Sequence, residues 1–385
     1  MPKDMVDGRV ARQTVSRVDE TIAERLHAHR LQAGDLVLAR RGDVGRFAFI
    51  ERDETGWLCG TGAMRVHAPD SSVIWPRFLR YAMSSPDVAA WLTRQAVGAT
   101  MPNLNAGIVA ELPISVPGGT LQRHIARLLS GFDALIEANE RQIELLEDLA
   151  RSLYREWFVR LRFPGWKDEK FADTALGSIP ESWQVARLNE FVTTQYGFTA
   201  SANDIPVGPQ FLRGMDINKR SYINWSKVPY CVVPDAQIEK FRLDVGDVCV
   251  VRMADPGKVG IVERPVDAVF ASYLVRFRSK DVRLPPQLLA HYLWDGAYQS
   301  WVTGSSTGAT RKSASASVLT EPLIAVPTPE VAARFSHDVG ALRSKLNGLV
   351  EHNAALARAR DLVLPRLVTG RLDISQIHLN GEAVA

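Results

Sequence analysis

The residues of this 385-residue chain that are best suited to chemistry are cations, hydroxyls and amides in polar loops and at strand ends. Gly304-Ser-Ser-Thr-Gly-Ala-Thr-Arg-Lys-Ser-Ala-Ser315 gathers Ser305, Ser306, Thr307, Thr310, Arg311 and Lys312 around its glycines. Hydroxyls, backbone N–H groups and cations in one loop suit contacts to phosphate oxygens and base edges. A second loop, from Arg94 through Asn105, carries Thr100, Asn103 and Asn105. Arg40, Arg41, Arg46, Arg252 and Lys258 follow or flank glycine turns, where a cation could reach a phosphate. The neighbours Lys219 and Arg220 form a further basic pair. Each group has a plain alternative, an ordinary solvated loop or a surface charge.

Chemistry of the chain's own is harder to find. The loop ending in Lys312-Ser313 has Arg311 where a phosphate-binding P-loop needs glycine. Glu239 and Lys240 are adjacent, without the intervening residue of a nuclease carboxylate cluster, and no Asn/Asp-Pro-Pro-Tyr/Phe methyltransferase motif occurs. His27 and His29 lack other ligands nearby in sequence, so surface histidines are the simple reading and no metal site is expected. Cys59, Cys231 and Cys249 are too few and scattered for a disulfide framework or a CxxC site. With 46% hydrophobic and 23% charged residues and no long uncharged apolar run, a cytoplasmic protein that spans no membrane is expected. A net charge of +3 permits nucleic-acid binding without demanding it.

These loops must be held by regular elements. Residues 1–117 read as mixed α/β, with short strands at 35–40, 46–50 and 63–67 and helices at 76–84 and 86–95. From Leu121 to Trp157 apolar residues recur at steps of three and four, through Leu128, Phe132, Leu135, Asn139, Leu146 and Leu153. That stripe predicts one long helix within 118–162, roughly 55 Å of it at about 1.5 Å per residue. Phe163-Pro-Gly165 breaks it, and a polar connector covers 163–178. A second α/β region fills 179–327, with strands at 247–252 and 258–262 and helices at 286–294 and 296–302.

The second region repeats the first. Arg30-Leu-Gln-Ala-Gly-Asp-Leu-Val-Leu-Ala-Arg40 matches Arg242-Leu-Asp-Val-Gly-Asp-Val-Cys-Val-Val-Arg252 at an offset of 212. Gly98-Ala-Thr100 matches Gly308-Ala-Thr310, and Val116-Pro117 matches Val326-Pro327, both at 210. The same offset predicts a second long helix within 328–370, ended by Pro365 and followed by a tail at 371–385. Its stripe runs through Leu342, Leu346, Leu349, Asn353 and Leu356. The segment 176–212 has no counterpart ahead of Met1, so the first region is expected to lack its leading strand and turn.

Each helix exposes an apolar stripe that needs a partner, and the nearest is its own repeat. Five arginines face seven acidic residues on the first helix, a net −2; the second carries five cations and four acids, a net +1. Neither is a basic stripe, so the helices are a protein-facing spacer. Asn139 and Asn353 interrupt the stripes, either to fix register in a shared seam or because they face solvent. The expected fold class is α+β, with two α/β domains alternating with two long helices that pair as an antiparallel coiled coil about a pseudo-two-fold axis.

Three segments in this order carry a resemblance. They are Leu146-Glu-Asp-Leu-Ala-Arg-Ser-Leu-Tyr-Arg-Glu-Trp-Phe158 with Arg162-Phe-Pro-Gly165, then Leu176-Gly-Ser-Ile-Pro-Glu-Ser-Trp183, then Ala359-Arg-Asp-Leu-Val-Leu-Pro-Arg-Leu-Val-Thr-Gly370. The chain resembles the specificity (S) subunit of a Type I restriction-modification system. The resemblance implies two target-recognition domains that each read half of a split double-stranded DNA sequence. The helices would hold the halves apart and dock two modification subunits through residues from Leu128 to Trp157 and from Leu342 to Leu356. It implies no catalysis and no cofactor on this chain, with S-adenosylmethionine on the modification subunits and ATP with Mg²⁺ on restriction subunits. The alternative is a protein-binding adaptor that uses the helices as a spacer; a single-chain endonuclease is disfavoured by the missing motifs.

Overall fold

The structure is a computed structural model and describes residues 1–68, 73–97, 102–217, 220–306 and 312–372. Thr100, Lys219, Thr307, Thr310 and Arg311 lie outside them. Two compact units emerge: residues 1–137 with 355–385, and residues 138–354. Both divisions fall inside the long helices, not at the expected domain edges near 117 and 327. Each stretch of helix packs on the globule beside it, so contact density does not stop where the helix starts.

In the first unit the strand Leu36–Ala39 is flanked antiparallel by Phe47–Phe49 and Ala63–Val66. Its alternating apolar residues are wholly buried because both faces are covered. Leu36 and Leu38 join Leu79, Met83 and Leu92 from the helices Pro76–Met83 and Pro86–Gln95, while Val37 and Ala39 join Met5, Leu31 and Ile50. The second unit repeats this hairpin with Val248–Val251, Val259–Ile261 and Leu274–Ser279, then adds Val192–Tyr196 as a fourth antiparallel strand. Two further pairings, Gln184–Arg187 with Leu323–Val326 and Gln210–Leu212 with Ala268–Phe270, also use residues from 176–212. Among the described residues the first unit shows no strand in these three places.

The first long helix is α-helical over Gly119–Tyr154 and closes in a wider π-helical turn at Arg155–Val159, where Trp157 is buried. The second runs Pro329–Val368 and passes through Pro365. The expectation that Pro365 ends it is therefore corrected. Pro365 removes one N–H, but Leu364, Leu367 and Val368 are buried with Ile125, Ala126 and Leu129, and that burial carries the helix one more turn. Gly370, at φ +71°, then turns the chain.

The helices run antiparallel in each unit. In the first, Asp133 meets Arg360 at 2.7 Å. In the second, Asn139 donates to Asn353 at 2.8 Å, and its amide also lies 3.3 Å from His352 Nδ1. The two asparagines thus belong to a shared seam. Further along, Ile143 packs with Leu346 and Val350, and Tyr154 and Trp157 with Phe335. Leu135 is the clear miss of the sequence stripe, at 53% exposed, and Leu149 is equally open. The buried line runs instead through Ile125, Leu129, Asp133, Asn139, Ile143, Ala150 and Tyr154. A strict seven-residue repeat drifts about 20° per heptad on a straight helix, which moves the seam off Leu135. Leu128, Phe132, Leu146, Leu153, Leu342, Leu349 and Leu356 are half-buried, and Leu346 is fully buried.

His291 closes the core of the second unit. It stands edge-on to Trp294 and Phe335, and Gln287 O lies 2.7 Å from its Nδ1. Burial pushes its pKa down from 6.5 to about 3. The folded ring stays neutral while the unfolded one protonates, so its contribution is complete above pH 6.5 and is lost as pH falls toward about 3. Urea unfolding at stepped pH should show wild type losing stability by up to about 1.4 kcal/mol per pH unit more steeply than His291→Asn over that window. Parallel curves would contradict this assignment.

Candidate nucleic-acid interface

The strand-end cations and the polar loops, far apart in sequence, are brought together in both units by the same backbone bonds. After Leu36–Ala39, Arg40 O accepts Leu104 N–H at 2.9 Å and Gly42 N–H donates to Pro102 O at 3.2 Å. After Val248–Val251, Arg252 O accepts Ala314 N–H at 2.9 Å and Ala254 N–H donates to Lys312 O at 3.0 Å. In each unit the two bonds form one antiparallel bridge, Arg41–Asn103 and Met253–Ser313. Leu104 and Ala314 are buried and anchor each loop. Gly42 and Ala254 occupy the equivalent turn position with φ of +77° and +70°. That region is open to glycine and costly for alanine, so the hairpin shape is maintained against residue preference in the second unit.

Electrostatics divide the candidates. Arg46 is paired with Asp43 and Lys258 with Asp255, each at 2.6 Å and at equivalent positions. These two cations are locally neutralised and brace the turn. Arg40 and Arg41 are exposed, and no ion pair holds them among the described residues. Arg252 is half-buried, its guanidinium 4.9 Å from the centre of the Tyr196 ring, with Nη1 3.6 Å from Met253 Sδ. Its Nε is buried without a hydrogen-bond partner, as is Asn103 Oδ1 in the other unit. Unpaired buried polar atoms are uncommon.

Other candidates have structural duties. Asn105 Oδ1 accepts Ile108 N–H at 2.9 Å and caps the helix Ala106–Ala110, as Ser315 does for Ala316–Thr320. Ser306 Oγ donates back to Val302 O, and Ser305 closes the helix Gly296–Ser305. Arg94 is exposed on the helix Pro86–Gln95, and Lys312 is exposed beside its bonded carbonyl. Arg220 instead binds the first long helix, 3.0 Å from Glu144 and 3.5 Å from Glu147. Tyr196, the platform under Arg252, was not legible as a site residue, because its role depends on two long-range pairings through the strand Leu274–Ser279.

The arrangement is a duplicated scaffold, with one hairpin per unit that ends in a cation and is bonded to a polar loop. Residues 9–148 match the family model described as the Type I restriction modification DNA specificity domain. The MjaIX specificity subunit of Methanocaldococcus jannaschii is 29% identical over 174 residues, 45% of this chain and 39% of the relative's length. The HindI specificity subunit of Haemophilus influenzae is 20% identical over 413 aligned positions, 89% of this chain and 87% of that one. A type I S subunit structure from M. genitalium shares the fold, with a TM-score of 0.52, 16% identity and coverage of 89% and 84%. The resemblance carried by the three motifs is borne out, since the family model and these relatives are all type I specificity domains or subunits.

The turn geometry yields a paired test. Ala254→Gly should raise stability by about 0.5–1 kcal/mol in urea unfolding, and Gly42→Ala should lower it by about 1–2 kcal/mol. Equal and negligible effects would mean that neither turn holds its left-handed residue in solution.

Proposed function

We propose that the chain is the non-catalytic DNA-recognition subunit of a type I restriction-modification complex, reading a bipartite target with its two hairpin-and-loop sites. The observation that carries this is the duplicated site itself, with Arg40 and Arg252 at equivalent strand ends against polar loops. Two equivalent readers call for two half-sites, and the long helices, one following each reader in sequence, would set the unread gap. Arg252 is the strongest contact candidate, since it stands at the strand end and its ring platform fixes its direction. Arg40, Arg41, Arg94, Asn103 and Lys312 stand beside it as candidates for phosphate or base-edge contacts.

Methyl transfer with S-adenosylmethionine would belong to two modification subunits, and ATP- and Mg²⁺-dependent cleavage to restriction subunits, with all of them in the cytoplasm. Such a partner would meet apolar side chains on the first long helix. Leu145 and Leu149 lie one turn apart on the first long helix and are 69% and 53% exposed. Among the described residues no helix is long and apolar enough to cross a membrane.

The test is selection from random duplexes by this chain together with a modification subunit. A bipartite sequence should be enriched, and Arg40→Ala or Arg252→Ala should weaken binding to it by about 1–3 kcal/mol. Absence of any enriched bipartite sequence would overturn the reading.

A further inference from the structure

We propose that the two long helices are built to pair with each other within one chain and to reject self-pairing with a second copy. This goes beyond DNA recognition and does not rest on it. The repeat relates each position of the first helix to the one 210 residues later on the second. Were the seam the same at related positions, either helix could pair with its own copy as well as with its partner. It is not the same.

Asn139 is related to Leu349, and Asn353 to Ile143. The native pairing sets amide on amide, with Asn139 donating to Asn353 at 2.8 Å, and sets Ile143 among Leu346, Leu349 and Val350. Self-pairing of the first helix in this geometry would set Asn139 against Ile143 of the second copy. Self-pairing of the second would set Leu349 against Asn353 of the second copy. Either dimer buries two amides without a partner, and a buried amide unpaired in this way is costly. A single polar seam position is an established way of choosing partner and register in paired helices.

The charges act in the same direction. Asp133 is buried and accepts from Arg360 at 2.7 Å, from Arg80 at 2.8 Å and from Tyr81 at 2.8 Å. Its related position is Arg343, also buried, which binds Glu263 at 2.6 and 2.7 Å. The related position of Arg360 is Ala150. A self-paired first helix would offer Asp133 an alanine where the arginine stood, and a self-paired second helix would set Arg343 against Arg360. Opposite charges at one repeat position also match each globule to its own helix, because Arg80 serves a carboxylate and Glu263 a guanidinium.

The full chain allows a direct test. Asn139→Ile with Leu349→Asn makes the first helix apolar and the second polar at the two seam positions, which favours self-pairing. Adding Ile143→Asn and Asn353→Leu restores amide-on-amide pairing between unlike helices. Light scattering on the eluting protein should find wild type monomeric. The double variant should leave the monomer for at least about half of the molecules at ~10 µM, as dimer or as unfolded chain, and the quadruple variant should recover it. A double variant that stays monomeric with unchanged melting temperature would overturn the proposal, as would a quadruple variant that fails to recover the monomer.

Discussion

Neither long helix can bury its apolar face alone, and the rest of the structure depends on that constraint. Helices of 36 and 40 residues present a stripe that only another helix of similar length can cover, and the chain supplies one by duplication. The seam is not uniformly apolar. Asp133, Asn139 and Arg343 are each buried and each satisfied by named partners, which is the condition under which buried polar groups are tolerated. Removing one partner leaves the other stranded, so these contacts specify which surfaces meet more than they add stability.

On this frame each unit sets out the same small device. A buried strand ends in a cation, a left-handed turn follows, and an incoming loop is stitched to both by two backbone hydrogen bonds. The turn keeps that geometry even where alanine stands at φ +70°. What differs between the units is the side chain each strand end presents and its setting. Arg40 is open, whereas Arg252 is laid over Tyr196. Such variation on a constant backbone suits readers of two different half-sites.

Much of this was legible in the sequence, for physical reasons. Glycine turns and short apolar runs located the hairpins, and the offset of 210–212 located the second helix from the first. Seam detail was not legible, because Leu135 and Leu129 fit a helical stripe equally well and only the neighbouring helix decides between them. Pro365 misled because local backbone preference was outweighed by the burial of Leu367 and Val368. Among site residues, Asn105 could have been recognised as a helix cap from its place before Ala106–Ala110. The fit of Arg252 on Tyr196 could not, since strand pairing creates it.

If the paired helices set the spacing of the two proposed sites, the gap between half-sites must follow helix length. The most direct measurement removes seven residues from each helix at facing positions and selects bound DNA with a modification subunit present. Unchanged half-sites, with a gap shorter by about three base pairs for ~10 Å of helix lost, are the predicted result. Altered half-sites with an unchanged gap would contradict it.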